Sequence, residues 1–170
     1  MLRWFCAAVV VLCSALLSMN EALRCRERVE SLHALREALG MLRDALVSLR
    51  APLPELLRLV AGRCREPASL IFLGTERYMD QKELSVSEAW EKAVNDLDPG
   101  LLRPEEHKAL LALGRVLGRS GSAEQAEAIR GAEERIRLFT ELEEKECAKR
   151  SRIRAAVGTG AGVMLAILLL

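Results

Sequence analysis

Between Glu30 and Arg50 the leucines fall at 32, 35, 39, 42, 46 and 49. Spacings of three and four place them on one face of a helix, an apolar stripe more than four turns long. No turn signal separates this stripe from the uncharged run Trp4–Met19 (WFCAAVVVLCSALLSM). The pattern therefore predicts one continuous or gently bent helix ending near Arg50. Ala51-Pro52-Leu53-Pro54 stops it, because proline disfavours helical geometry in the residue before it and lacks an amide proton. Pro54 is placed to open a short second helix running to about Gly62.

Four more helices follow. The third is expected from Pro67 to about Gln81, burying Leu70, Ile71 and Phe72, with Tyr78 farther along. Ser85 and Glu88 have the spacing of a capping box, in which each side chain satisfies an amide at the helix start. The helix they open turns Ala89, Trp90, Ala93, Val94 and Leu97 inward and ends before Pro99-Gly100. Pro104 occupies a first helical position, followed by Glu105 and Glu106 at the positive end of the helix dipole. This fifth helix buries Leu110, Leu113, Val116 and Leu117 and stops at Gly118-Arg119-Ser120-Gly121. Ser122 and Gln125 repeat the capping spacing, and nothing then breaks the chain before Gly158. Ile129, Ala132, Ile136 and Phe139 form a narrow stripe on the last helix, expected to pack on the first. No segment alternates with period two for long enough to make a strand. The fold class expected is all-α: an antiparallel bundle of about six helices, flanked by N- and C-terminal membrane helices.

Both chain ends are apolar. Trp4–Met19 and Ala155–Leu170 (AAVGTGAGVMLAILLL) are each 16 residues without a charge. As helices they span ~24 Å at 1.5 Å per residue, short of a ~30 Å hydrocarbon core. Arg3, Arg152 and Arg154 extend the reach by snorkelling to the headgroups. A cleaved secretory signal is the competing reading of the amino end. At the carboxyl end Lys145, Lys149, Arg150, Arg152 and Arg154 abut the apolar run, the flank of a retained membrane helix. Basic residues are kept on the cytoplasmic side, and Arg24, Arg26 and Arg28 follow the first run. The expected layout is a membrane segment at 1–20, a cytoplasmic bundle at 21–154 and a second membrane segment at 155–170. Gly158 and Gly162 form GxxxG, which lets membrane helices approach closely and suggests self-association or packing on the first segment. Glycine is also simply common in such helices, and both readings stay open.

Charge and chemistry narrow the function. Twenty-five Lys and Arg against 24 Asp and Glu, with 4% aromatics, leave no basic excess and no stacking groove for nucleic acid. The 170 residues hold a single domain's worth of core. His33 and His107 have no partners at metal or general-base spacing, and Gly158, Gly160 and Gly162 miss the phosphate-loop spacing. Cys6, Cys13, Cys25, Cys64 and Cys147 show no C-x-x-C spacing, so neither a disulfide framework nor zinc is suggested. Cys25 and Cys147 lie near the two membrane borders, where they would be neighbours open to crosslinking. Trp90 reads as core before ligand cage, and the run Glu141–Glu146 as solvated surface before docking site. No catalytic residue, cofactor or metal is indicated.

Pro52-Leu53-Pro54-Glu55, then Ser85-x-x-Glu88-Ala89-Trp90, then Leu113-Gly114-x-x-Leu117-Gly118-x-Ser120, then a basic stretch entering an apolar end, follow one another in order. In that ordered set the chain resembles the stage III sporulation protein AB family. It departs from the family pattern at Ala51, at Arg43-Asp44 and at Gly121-Ser122-Ala123. The resemblance implies a mother-cell membrane protein of endospore-forming bacteria. Such a protein belongs to the channel apparatus linking mother cell and forespore after engulfment. It also implies a cytoplasmic domain similar to the F-class platform proteins of type II secretion. The partners implied are membrane lipid, a secretion-type ATPase, here stage III sporulation protein AA, and sister channel subunits. A platform or adaptor that is not an enzyme is the leading expectation; a membrane-tethered signalling or ligand-binding bundle is the alternative.

Overall fold

The computed structural model describes the backbone of residues 2–49, 51–82, 84–119 and 121–169, and the side chains of residues 20, 22–49, 51–81, 84–119 and 121–153. Among the described residues the secondary structure is helical throughout, in six helices: α1 Leu2–Leu49, α2 Leu53–Ala61, α3 Ala68–Lys82, α4 Val86–Asn95, α5 Pro104–Gly114 and α6 Ser122–Leu169. The two apolar runs continue α1 and α6 as helical backbone, but their side chains lie outside the described residues. Among the described residues no helix is long and apolar enough to cross a membrane.

The chain divides into two compact units. One comprises Glu30–Thr140; the other comprises Met1–Val29 together with Glu141–Leu170. In the first unit the α1 stripe is the spine of the core: Leu32, Leu35, Leu39, Leu42 and Leu46 are buried. They join Leu56, Leu57 and Val60 of α2, Ile71 and Phe72 of α3, Trp90 and Val94 of α4, Leu110 and Leu113 of α5, and Ile129, Ala132 and Ile136 of α6 in one cluster. α3 packs on both α2 and α4, and α4 packs on α5. Arg43 of α1 donates from Nη1 to Glu133 Oε2 of α6 at 2.6 Å, so an ion pair borders the apolar contact of the two long helices. Two threonines on buried faces, Thr75 and Thr140, return their hydroxyls to the Ile71 and Ile136 carbonyls at 2.7 and 2.8 Å, which removes the cost of an unsatisfied polar group.

Several boundaries and faces differ from the sequence expectation, each for a local reason. Pro52, not Pro54, marks the start of α2: its carbonyl accepts from the Glu55 and Leu56 amides at 3.1 and 3.2 Å, and the helix begins at Leu53. Leu49 is 54% exposed and Leu70 is 41% exposed. Leu49 stands at the very end of α1, past the last turn of core contact, and Leu70 sits one position off the Ile71–Phe72 face. Ser122 is the first residue of α6 and not its cap; the Gly121 carbonyl receives the Gln125 amide at 3.0 Å. Val116 and Phe139 are half-buried.

Replacing the fully buried Leu39 by alanine is expected to cost about 2–5 kcal/mol. The same change at Leu49 should cost less than about 0.5 kcal/mol, the range for exposed positions. Denaturant unfolding of the full chain in detergent, followed by circular dichroism, measures both.

Candidate functional site

Two of the three ordered motifs meet in space. Ser85 caps α4: its backbone amide donates to Glu88 Oε2 at 3.0 Å, and its hydroxyl accepts from the Glu88 amide at 3.4 Å while donating to Oε2 at 2.6 Å. These bonds to the ionised carboxylate, the Ser85 hydroxyl foremost, hold the Glu88 carboxyl below its ordinary range. With its start fixed, α4 turns Ala89 and Trp90 inward, both completely buried. The indole N–H of Trp90 donates to the Leu110 carbonyl of α5 at 2.8 Å, and its ring lies 5.9 Å from that of Phe72, tilted by 35°.

Opposite Trp90 stands Gly114. A methyl group at Gly114 would overlap the indole Cδ1 and lie 3.0 Å from Cγ, so a residue without Cβ is what lets the indole seat against α5. One turn later Gly118 takes φ of 76°, a conformation glycine adopts freely, and a Cβ there would come 2.7 Å from Cβ of Val86. The turn is closed by Val116 and Leu117 amides on the Leu113 carbonyl, at 3.0 and 3.2 Å. α5 consequently ends at Gly114, four residues ahead of the stop at Gly118, and Leu117, still buried, leaves the turn to enter the core. Ser85, Glu88, Ala89, Trp90, Gly114, Leu117 and Gly118 thus form one α4–α5 joint.

The third motif lies elsewhere. Pro52, Leu53, Pro54 and Glu55 form the first turn of α2, and Leu53 enters the main core. Ser120 lies outside the described residues, as do the surroundings of Gly158 and Gly162. α5 starts as its proline predicts, with Arg103 before it and the buried Glu106 carboxylate accepting the Arg103 amide at 2.9 Å.

Among the described residues no group of three His, Cys, Asp or Glu is placed to hold a metal ion. An open cleft of about 320 Å³ between α3 and α4 is lined by Leu70, Leu73, Tyr78, Leu97 and Leu101 with Asp96 and Asp98 at its rim; the Tyr78 hydroxyl donates to Asp96. A second, of about 380 Å³, collects Arg36, Arg43, Arg130 and Arg135 beside Glu133 and Glu134.

The two cysteines expected to be neighbours beside the apolar ends do meet. Cys25 and Cys147 are joined by a disulfide, with Cα atoms 6.1 Å apart and 122 positions between them in the chain. The expectation of no disulfide framework is corrected in this respect: the two long helices bring the cysteines together, and the bond between them is what no local spacing encodes. Cys64 keeps its thiol, and burial, helped by the Glu37 charge, pushes that thiol's pKa up.

Among the described residues the protein is thus of the all-α bundle class, with a capped, tryptophan-sealed joint and long first and last helices. The stage III sporulation protein AB family model matches residues 3–170, and the chain belongs to that family. A solved structure described as stage III sporulation protein AB is 23% identical, with a TM-score of 0.62 over 72% of this chain and 97% of that one, a likeness of fold. No curated protein matches significantly.

Gly114→Ala should destabilise the chain by about 1–3 kcal/mol, the cost of overpacking, with a loss of near-ultraviolet dichroism from Trp90. The Glu88 carboxylate gives a pH test. Its folded pKa is depressed, so its charge contributes stability present above the unfolded value, about 4.3, and lost as pH falls through the folded value. Wild type should therefore exceed Glu88→Gln in stability at pH 6, and the two should converge as the pH falls through that lower range; pH-dependent melting measures the difference.

Proposed function

We propose that this protein is a membrane platform or adaptor subunit of the secretion-like channel apparatus linking mother cell and forespore, needed for spore development after engulfment. Membership of the stage III sporulation protein AB family over nearly the whole chain carries the reading. It is supported by a bundle whose first and last helices run on into uncharged 16-residue ends. The bundle faces the mother-cell cytoplasm, in keeping with Arg24, Arg26 and Arg28 after the first apolar run and the basic residues before the second. It performs no catalysis; its task is to hold a fixed helical surface for a secretion-type ATPase, stage III sporulation protein AA, and for sister subunits. Rigidity is what such a role requires, and the α4–α5 joint supplies it by locking helix start, tryptophan and turn together.

Deleting the gene in its host should let engulfment finish and then arrest the forespore, with heat-resistant spores falling by orders of magnitude. The full-length chain should rescue the defect. A version lacking residues 155–170 should not. Normal spore counts in the deletion strain would contradict the platform role and favour a tethered signalling bundle.

A further inference from the structure

All the buried apolar residues among those described lie between Leu32 and Ile136. The unit formed by Met1–Val29 and Glu141–Leu170 is different: among its described residues only Glu143 is buried, while Leu23, Leu142 and Ile153 are more than half exposed. No described apolar side chain of α1 or α6 is buried in this unit, so a covalent link is what the described residues add to its hold. That is where the Cys25–Cys147 bond lies. Its Cα separation of 6.1 Å is within the span a disulfide needs without backbone movement, and both cysteines are half-buried, within reach of an exchange partner.

We propose that Cys25 and Cys147 form a reversible redox staple that fixes α1 to α6 in this unit when closed and frees the two helices from each other when open. The inference rests on the cytoplasmic placement of residues 21–154 proposed above, since disulfides in a reducing compartment are characteristically transient and redox-sensing. Closure is a two-electron exchange. One cysteine thiolate, its proton released to solvent, attacks the disulfide of a thiol–disulfide oxidant and forms a mixed disulfide, expelling the first thiolate. The second cysteine, likewise deprotonated, displaces the remaining sulfur. The Cys25–Cys147 bond forms, and the oxidant leaves as two thiols. A dithiol reductant reverses both steps.

The test uses the full chain in detergent and the double variant Cys25→Ser/Cys147→Ser. Closing the staple with oxidised glutathione should raise the melting temperature of wild type by on the order of 10 °C, given the long loop it closes. Dithiothreitol should abolish the rise, and the double variant should melt as reduced wild type does in both conditions. A wild-type melting temperature that ignores reductant while both thiols become alkylated overturns the proposal. So does a crosslink that runs between copies, seen at twice the chain mass on a nonreducing gel.

In host membranes, acid quenching and alkylation should find the pair reduced at rest, closed after a diamide pulse and open again once diamide is removed. A pair that stays oxidised overturns reversibility. The cytoplasmic placement fails separately if an impermeant maleimide reaches Cys64 from outside intact cells.

Discussion

The leucine stripe of α1 is the constraint on which the rest of the structure depends. Five leucines from Leu32 to Leu46 are buried along one helix face, and the side chains that cover them come from every other helix. Each of α2, α4 and α5 is no more than 11 residues long, too short to be stable in water by itself. They persist because the stripe gives each an apolar surface to cover. Removing water from that surface is the main favourable term in the fold, and the loops only have to be short enough to let the helices reach it.

Once the helices are gathered, their angles must still be fixed. The α4–α5 joint does this with three devices that reinforce one another. The Ser85–Glu88 box sets where α4 begins, which sets the direction in which Trp90 points. Gly114 leaves the space the indole fills, and the Leu110 carbonyl takes its proton. Gly118 then turns the chain so that Leu117 remains in the core. A packed aromatic with a satisfied N–H has one arrangement rather than many, so the joint fixes the angle between the two helices.

Much of this was legible in the sequence, where local rules govern. The stripe, the proline stops, the capping box and Pro104 at the start of α5 all follow from chemistry within a few residues. Faces near helix ends were less legible: Leu49 and Leu70 fit the apolar pattern yet lie exposed, because periodicity does not say where a neighbouring helix stops. The meeting of Trp90 with Gly114 is a contact across a loop, and the joining of Cys25 to Cys147 a contact across most of the chain. The first depends on how helices pack, which spacing within a motif does not report; the nearness of the cysteines follows from their places beside the two apolar runs, but not the bond between them. The ordered motifs nonetheless contain the residues of the joint.

Hydrogen exchange of the reduced full chain in lipid nanodiscs tests the central claim, that one core built on the α1 stripe holds the bundle together and that it ends near Leu32 and Ile136. Amides of Leu35–Leu46 and Ala132–Ile136 should exchange only through global unfolding, while those of residues 22–29 and 141–153 should exchange at least tenfold faster through local opening. Equal protection along the whole of both helices, or rapid exchange within the stripe, would contradict the account.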